Sequence, residues 1–227
     1  MVHDAAIAID MPNGSRTLIL REIELDRARQ HARADNVLGY SDFTPEGGLS
    51  GDRETAAAQA TAECLLRNGI TSVVADRTLP LIYVDAIQNA GIALELDPQM
   101  GVADRRVKDS LEVEHLRNAQ EVTEQAMRMA CETVASAEAD QAGVLHIDGK
   151  ILTSESMRTL IDFFLLERNF YNPASIVAGG SDGGDCHHLG SGELHTSQPI
   201  IIDIFPLDKT SLYNGDCTRT VVHGTIP

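Results

Sequence analysis

The chain has 227 residues, 43% of them hydrophobic, enough for one large domain or two small ones with a packed core. Its formal net charge is −16. Nucleic acids and anionic membranes are bound by basic surfaces, so this charge argues against both partners and is compatible with cation binding. No run approaches the length of a membrane span, and the four cysteines form no Cys-x-x-Cys pair. We expect a soluble cytoplasmic protein with reduced, mostly buried thiols.

Strands and helices are predicted to alternate in residues 1–104. Asn13-Gly14 is a hairpin turn signal, and Asn68-Gly69 is a helix stop. A loop is expected at Tyr40–Gly51 because it is rich in Gly, Ser and Pro. The predicted elements are strands Ala5–Asp10 and Arg16–Leu20, helices Glu24–Arg33 and Arg53–Arg67, strand Ile70–Ala75, helix Leu79–Asn89 and strand Ile92–Leu96. This order implies an α/β layer with a largely parallel core.

A second domain is predicted at residues 105–227, which makes the whole chain α/β (α+β). Its first helix, Ser110–Ala137, has small and apolar residues at steps of three and four, and Asp109 with Glu112 resembles a capping box. The next helix, Thr153–Arg168, is capped by its threonine. The strands predicted after it are Ser175–Ala178, Pro199–Phe205 and Asp216–His223.

Two aspartates in the last two predicted strands are the most informative residues. Asp203 lies in the middle of an isoleucine-rich run, where an isolated ionised carboxylate is costly unless a cation or hydrogen-bond donors compensate it. Asp216 shares one face of its strand with Thr218 and Thr220. Two neighbouring strands that point carboxylates to the same side would make an oxygen-lined site for a divalent metal. A structural aspartate bonded to backbone amides is the alternative interpretation of Asp203.

The order of motifs from Arg105 onward resembles metallopeptidase family M24, which includes methionine aminopeptidase, aminopeptidase P and prolidase. Four runs carry the resemblance after the helix entry at Asp109–Glu112: Leu152-Thr153-Ser154-Glu155, then Ile176–Gly180 followed by Cys186-His187-His188, then Ile202–Phe205, and Gly215–Thr220. The resemblance implies the first half of a pita-bread catalytic domain at 105–227. Residues 1–104 resemble, more loosely, the creatinase-like N-terminal domain of the aminopeptidase P and Xaa-Pro dipeptidase branch.

The resemblance also implies roles for individual residues. Asp203 matches the aspartate that binds one metal of a dinuclear pair, and Asp216 matches the aspartate that bridges both metals. His187 matches the histidine that contacts substrate and steadies the tetrahedral intermediate, and His188 takes its place if the alignment shifts by one residue. Two divalent ions are implied (Mn, Co or Zn, with Mn favoured). The implied activity is hydrolysis of Xaa-Pro peptide bonds by a hydroxide that the two metals activate, in a homodimer with a peptide substrate.

The chain departs from the family pattern after Asp216. The family centre needs two Asp, one His and two Glu, and the chain supplies only the two aspartates. We therefore expect a C-terminally truncated member, also short at its N-terminus, that is inactive as given. Two alternatives remain open. One is a non-catalytic pita-bread module that binds peptides or proteins, and the other is a creatinase-type amidinohydrolase, against which the paired aspartates argue.

Four further residues near these motifs are interpreted as structural. His195 is expected in an exposed turn, and His223 is not expected to be a metal ligand because its surroundings do not match the family. Cys217 falls on the strand face opposite Asp216 and is expected in the core. Arg219 shares that face, and a structural ion pair is expected for it.

Overall fold

The computed structural model describes residues 5–226 and divides into two compact units, Met1–Val107 and Lys108–Pro227. The predicted division after residue 104 falls inside a short helix, Val102–Arg106, that belongs to the first unit. The predicted ranges 1–104 and 105–227 extend beyond the described residues at both ends. Helices and strands are mixed in both units, which confirms the predicted α/β class. Within residues 5–226, no helix is long and apolar enough to cross a membrane.

The first unit places helices beside two small sheets. Its elements are β1 Ile7–Asp10, β2 Arg16–Leu20, α1 Leu25–His31, β3 Asn36–Gly39, α2 Arg53–Arg67, β4 Ser72–Ala75, α3 Leu81–Asn89, β5 Ala93–Leu96 and α4 Val102–Arg106. β1 and β2 form an antiparallel hairpin, to which β3 adds in parallel, while β4 and β5 form a separate parallel pair. The predicted parallel layer is therefore present as two sheets. The alanine-rich face of α2 is buried in the core of this unit.

Two features of the first unit differ from the prediction. β3 was not predicted, and the expected loop that follows begins with a 3-10 turn at Tyr40–Phe43. The Asp42 carboxylate caps this turn by accepting the backbone N–H of Gly39 at 2.7 Å. Side-chain capping of this kind is a tertiary detail that composition alone does not reveal, because Gly, Ser and Pro are equally typical of irregular loops.

The second unit packs two helices against one face of an antiparallel sheet. Its elements are α5 Ser110–Ser136, β6 Glu138–Ala139, β7 Leu145–Ile147, β8 Lys150–Ile151, α6 Ser154–Leu166, β9 Phe170–Tyr171, β10 Ile176–Gly179, β11 Pro199–Ile204, β12 Leu207–Asp208 and β13 Cys217–Val222. The main sheet has the order β10-β11-β13, and β6-β7-β8 and β9-β12 form two smaller sheets. The predicted bounds of α5, α6, β10, β11 and β13 agree within two residues. The strands of the two smaller sheets were not predicted.

Helix α5 begins at the predicted capping box. Asp109 accepts the backbone N–H of Glu112 at 2.8 Å, and the Glu112 carboxylate accepts the N–H of Asp109 at 2.9 Å. The buried stripe of the helix is made mostly of small residues, namely Ala119, Thr123, Ala126, Met127, Ala130 and Val134. Small side chains on this stripe let the sheet approach the helix closely.

The closest approach is at Gly215, in the segment that leads into β13. A Cβ at this position would lie 2.0 Å from Thr123 Oγ1 and 2.7 Å from the carbonyl oxygen of Ala119. Only glycine fits such a contact, because one of the obstructing atoms belongs to the helix backbone. The residue after it, Asp216, is thereby held against α5.

A second contact ties the same segment to the start of α5. The Tyr213 hydroxyl donates to Glu112 Oε1 at 2.8 Å, and the Tyr213 ring lies against His115 with centroids 5.5 Å apart. The N–H of Asp109 and the hydroxyl of Tyr213 both stabilise the ionised carboxylate, so the pKa of Glu112 is lowered from its ordinary value. The chain between β12 and β13 is therefore fixed to the helix on both sides of Asn214.

Replacing Gly215 with alanine should destabilise the second unit. Overpacking of this kind costs about 1–3 kcal/mol, and we expect the upper part of that range because the new methyl group meets backbone. Urea unfolding would measure the loss. Gly184→Ala is the control, because a Cβ there meets nothing within 4 Å. Equal stability of the two variants would contradict the close packing at Gly215.

Replacing Tyr213 with phenylalanine should reduce stability in a pH-dependent way. The lowered pKa of Glu112 means that its ionised form stabilises the fold above the unfolded pKa, about 4.3, and that this contribution is lost as the pH falls through the folded pKa. Y213F removes one donor and should raise the pKa of Glu112. The stability difference from the unchanged protein should then be larger at neutral pH than in acid.

Carbon-detected NMR titration of the Glu112 carboxyl, with unfolding at neutral and acid pH, would measure both effects. Tyr171→Phe is the matched control, because Tyr171 is exposed and its hydroxyl has no hydrogen bond to another described residue. An unchanged Glu112 titration in Y213F would mean that the hydroxyl does not stabilise the carboxylate.

Candidate metal centre

The alternation of side chains along β11 decides which way Asp203 points. Ile200, Ile202 and Ile204 are fully buried in the core that also contains side chains of α5 and α6. Asp203 lies between them in sequence, so its side chain projects from the opposite, open face of the sheet, where it is half-buried. The carboxylate is therefore not inside the isoleucine core, although the sequence around it is almost entirely apolar.

The neighbouring strand holds one oxygen of this carboxylate. Asp203 lies directly opposite Thr218 in the antiparallel β11–β13 pair. The Thr218 hydroxyl donates to Asp203 Oδ1 at 2.5 Å. Oδ2 has no hydrogen bond to any other residue between 5 and 226. One oxygen is thus oriented by the protein, and the other is available to a ligand.

Asp216 reaches the same face by a continuation of the strand pairing. Gly215 N–H donates to the Pro206 carbonyl at 3.0 Å, so the β11–β13 register persists beyond the ends of the two strands. This places Asp216 opposite Phe205, two positions along from Asp203. Diagonal neighbours of this kind are about 7–8 Å apart between Cα atoms. The register therefore makes Asp203 and Asp216 diagonal neighbours across the strand pair.

Asp216 lies directly before β13, which begins one residue later than predicted. Its backbone N–H donates to the side-chain carbonyl of Gln120 on α5, at 3.1 Å, and not to another strand. Its side chain is exposed and lines an open concavity of about 640 Å³ beside Asn214 and the residues Glu121 and Glu124 of α5. The carboxylate is accessible to a ligand from solvent.

His187 and His188 lie in the loop that follows β10, after a 3-10 turn at Gly180–Gly184. His188 has a structural role, because its Nδ1 accepts the backbone N–H of Gly190 at 3.0 Å. The His187 ring is exposed, and its Nδ1 lies 3.7 Å from the Cys186 sulfur. Among the described residues, no hydrogen bond links either histidine to Asp203 or Asp216. The two aspartates are thus diagonal neighbours in the strand register, and the histidines lie in the loop whose 3-10 turn packs at Gly183 on Ile201 of β11.

The far end of this loop is fixed to the rest of the unit. Arg158 on α6 donates to the carbonyl oxygens of Leu189 and Gly190 at 2.5 and 2.8 Å. Gly190 also packs so closely on β10 that a Cβ would lie 1.7 Å from the carbonyl oxygen of Val177. His187 and His188 are thus carried by a short segment with anchored ends.

The two remaining histidines of this region are engaged within the fold. His223 Nδ1 lies 2.9 Å from Thr196 Oγ1, and its Nε2 lies 2.9 Å from the carbonyl oxygen of Ala137. Both ring nitrogens are occupied, which agrees with the expectation that His223 is not a ligand. His195 was predicted to be exposed, but it is half-buried, because its backbone forms a bridge to Val144.

Of the two predictions for the other face of β13, the one for Cys217 is confirmed and the one for Arg219 is wrong. Cys217 is buried in the core, as predicted. Arg219 was expected to form an ion pair, but it donates instead to the backbone carbonyl of Thr218 at 2.7 Å, and no ion pair links it to another residue in the described part of the chain. The Arg219 side chain is exposed, so its guanidinium bonds the adjacent Thr218 carbonyl outside the core.

The donor chemistry of the two aspartates fits a hard or borderline divalent metal. Each offers carboxylate oxygen, and the open face provides room for water ligands. Asp203 and Asp216 are not joined by a third His, Cys, Asp or Glu ligand atom from residues 5–226. Three ligand atoms do lie within 4.8 Å of one another in a different group of residues, which consists of Asp185, Cys186 and His187. Asp185 was not predicted as a ligand, although the Asp-Cys-His run was a signal for it.

Comparison with known proteins identifies the family. The sequence model of metallopeptidase family M24 matches residues 114–227, which is half of the chain. A comparison with curated protein sequences gives no significant match.

Similar solved structures include several Xaa-Pro peptidases. The prolidase from Pyrococcus furiosus is 16% identical, with a TM-score of 0.69 over 96% of this chain and 56% of its own. The X-Pro aminopeptidase from Thermotoga maritima is 19% identical, with a TM-score of 0.69 over 98% of this chain and 56% of its own. The Xaa-Pro dipeptidase from Bacillus anthracis is 14% identical, with a TM-score of 0.72 over 100% of this chain and 57% of its own.

This chain therefore spans a little more than half the length of the structures it resembles. At these identities the structural likeness establishes the fold, and the match of the family model establishes the membership. The chain belongs to metallopeptidase family M24 and has the α/β, pita-bread type of fold seen in its prolidase and aminopeptidase P relatives.

Proposed function

We propose that this chain carries two ligands of the metal centre of an Xaa-Pro aminopeptidase or dipeptidase, Asp203 and Asp216. The β11–β13 register supports the proposal, because it makes the two aspartates diagonal neighbours. Asp203 lies within β11 and Asp216 directly before β13, and a β-strand holds a ligand more rigidly than a loop does.

The relatives support the Xaa-Pro class of substrate. Three of the similar structures are a prolidase, an X-Pro aminopeptidase and an Xaa-Pro dipeptidase. Residues 105–227 then correspond to the first half of a catalytic domain, and residues 1–104 to a creatinase-like N-terminal domain. A homodimer and a cytoplasmic location follow from the resemblance and from the sequence, and both stay predictions.

In this proposal each residue has a defined task. Asp203, oriented by Thr218, would hold an ion through its free oxygen, and Asp216 would contribute its carboxylate to the same centre. The metals (Mn, Co or Zn, with Mn favoured) would supply polarisation of the peptide carbonyl and activation of water when bound. His187 presents an exposed imidazole that can donate to a developing oxyanion. His188 is less suited to this task because its Nδ1 is occupied by Gly190.

A second candidate is a peptide-binding module without catalysis. It is favoured by the donor set, because two carboxylates leave a divalent ion coordinated mainly by water, and such sites bind weakly. The two candidates differ in whether peptide binding depends on metal.

Metal binding is the first test of the proposal. Mn²⁺ titration, followed by the paramagnetic resonance of the free ion, should show weak binding that Asp203→Asn and Asp216→Asn each reduce about tenfold or more. D203N keeps an acceptor for Thr218, so the strand pair should remain intact. Asp148→Asn is the control, because Asp148 is exposed and lies in a turn with φ of 51°, which asparagine tolerates. Equal binding by all four proteins would contradict the assignment.

Peptide binding is the second test. Xaa-Pro dipeptides should bind this chain more tightly with Mn²⁺ than without, and any hydrolysis should require the metal. Metal-independent binding would instead support the non-catalytic module. If the chain binds neither the metal nor the dipeptide, both candidates are overturned.

Replacing Thr218 with valine should weaken Mn²⁺ binding without removing a ligand. Valine has nearly the same shape but cannot donate to Asp203 Oδ1, and loss of such supporting hydrogen bonds costs about 10–100-fold in metal affinity. Thr218→Ser should restore the affinity. Thr220→Val is the control, because Thr220 is exposed and lies opposite Ile201 on the same face. Similar affinities in T218V and T220V would show that the hydroxyl does not orient the ligand.

A further inference from the structure

Cys186 differs from the other cysteines of the chain. All four are free thiols, but Cys64 and Cys217 are buried and Cys131 is half-buried, whereas Cys186 is exposed. Burial raises the pKa of the Cys64 thiol to about 11, so it is a poor nucleophile and a poor ligand. The other three thiols are buried or half-buried, as expected, whereas the exposed Cys186 stands directly beside two other potential ligands.

The donor atoms of Asp185, Cys186 and His187 converge although the residues are consecutive. Their ligand atoms lie within 4.8 Å of one another, and the Cys186 sulfur lies 3.7 Å from His187 Nδ1. A tetrahedral zinc ion with bonds of about 2.0–2.3 Å to nitrogen and sulfur holds those atoms about 3.5 Å apart. The sulfur–nitrogen separation therefore needs to change by only a few tenths of an ångström to bind such an ion.

The backbone maintains this convergence. Asp185 N–H donates to the Asp182 carbonyl at 3.2 Å, and His188 N–H donates to the Asp185 carbonyl at 3.1 Å, which makes two successive turns. Asp185 Oδ1 accepts the backbone N–H of His187 at 2.9 Å. This bond turns the carboxylate toward its neighbour and leaves Oδ2 for a ligand. Less side-chain ordering is then needed at the moment of binding.

We propose that Asp185, Cys186 and His187 form a binding site for a thiophilic divalent ion such as Zn²⁺, with water completing the coordination shell. Thiolate, imidazole and carboxylate are the donors that zinc takes, whereas Mn²⁺ prefers oxygen. The net charge of −16 favours any cation at an exposed site. The ligand set differs from that of Asp203 and Asp216 in chemistry as well as position, so the two sites can be told apart by spectroscopy.

Occupation of this site has a consequence that rests on the proposed function. If His187 contacts the substrate, an ion bound to Cys186 and His187 removes that imidazole from the substrate site. Zinc would then reduce dipeptide binding while Mn²⁺ increases it. Zinc binding itself does not depend on a contact between His187 and substrate. The zinc site can therefore be correct even if the proposed function is wrong, and the reverse also holds.

Cobalt substitution tests the site directly. Co²⁺ added to the reduced protein should give a thiolate-to-metal charge-transfer band that is lost in Cys186→Ser and retained in D203N and D216N. Circular dichroism would verify that each variant is folded. Absence of the band in the unchanged protein, or its persistence in C186S, would overturn the proposal.

Protection from alkylation tests the other two ligands. Zn²⁺ should slow the reaction of Cys186 with iodoacetamide, measured by peptide mass spectrometry, and Cys131 provides an internal reference. Asp185→Asn and His187→Gln should each raise, by about tenfold or more, the zinc concentration that gives half-maximal protection of Cys186. D185N keeps the oxygen that accepts the His187 N–H, so the loop should be preserved. D148N and His31→Gln are the matched controls at exposed positions.

Two outcomes of the alkylation experiment decide against the site. No protection by zinc in the unchanged protein would mean that the contact between Cys186 and His187 is only a weak thiol–imidazole hydrogen bond. Protection that D185N and H187Q leave unchanged would mean that the thiol binds zinc without them.

Discussion

The register between β11 and β13 is the constraint on which the rest of the second unit depends. Ile200, Ile202 and Ile204 are fully buried, and each such side chain contributes about 1.5–3 kcal/mol relative to exposure. A slip by one residue would expose all three and turn the Asp203 carboxylate into the core, where its burial would cost several kcal/mol more. The apolar residues therefore determine the direction of the polar one. The same register brings Thr218 opposite Asp203 and carries Asp216 to the same face.

The parts of the fold that sequence reasoning predicted are those with long periodic or capped patterns. The periodic stripe of α5, which follows the capping box at Asp109 and Glu112, and the apolar run of β11 both extend over enough residues to distinguish a helix from a strand. The two- and three-residue strands of the smaller sheets in the second unit are shorter than either period can reveal. The Asp185–His187 cluster was not predicted, because three consecutive side chains converge only when local turns orient them. The placement of both aspartates on one face followed from alternation, but the hydrogen bond from Thr218 required the pairing register.

The second unit thus presents two kinds of donor set in two structural settings. Asp203 and Asp216 offer hard oxygen from strands whose positions are determined by a packed core. Cys186 and His187 offer sulfur and nitrogen from an exposed loop whose ends are anchored but whose ligands are free to adjust. Rigid oxygen sites select an ion by spacing and charge, whereas an adjustable sulfur and nitrogen site selects it by softness. If both proposed sites bind metal, a given divalent ion would prefer one of them according to its softness.

The close packing of Gly215 on α5 has a thermodynamic consequence. Asp216 is positioned only when the segment before β13 is docked on the helix, because Thr123 and Gln120 contact the two residues in succession. An ion that binds Asp216 binds only this docked arrangement, and linkage requires that it stabilise the docking in return, by about 2.7 kcal/mol when the free ion is at a hundred times its dissociation constant. Thermal stability of the second unit would then rise with metal concentration. A substitution of Thr123, which contacts Gly215 but is not a proposed ligand, would lower the apparent metal affinity by the same coupling.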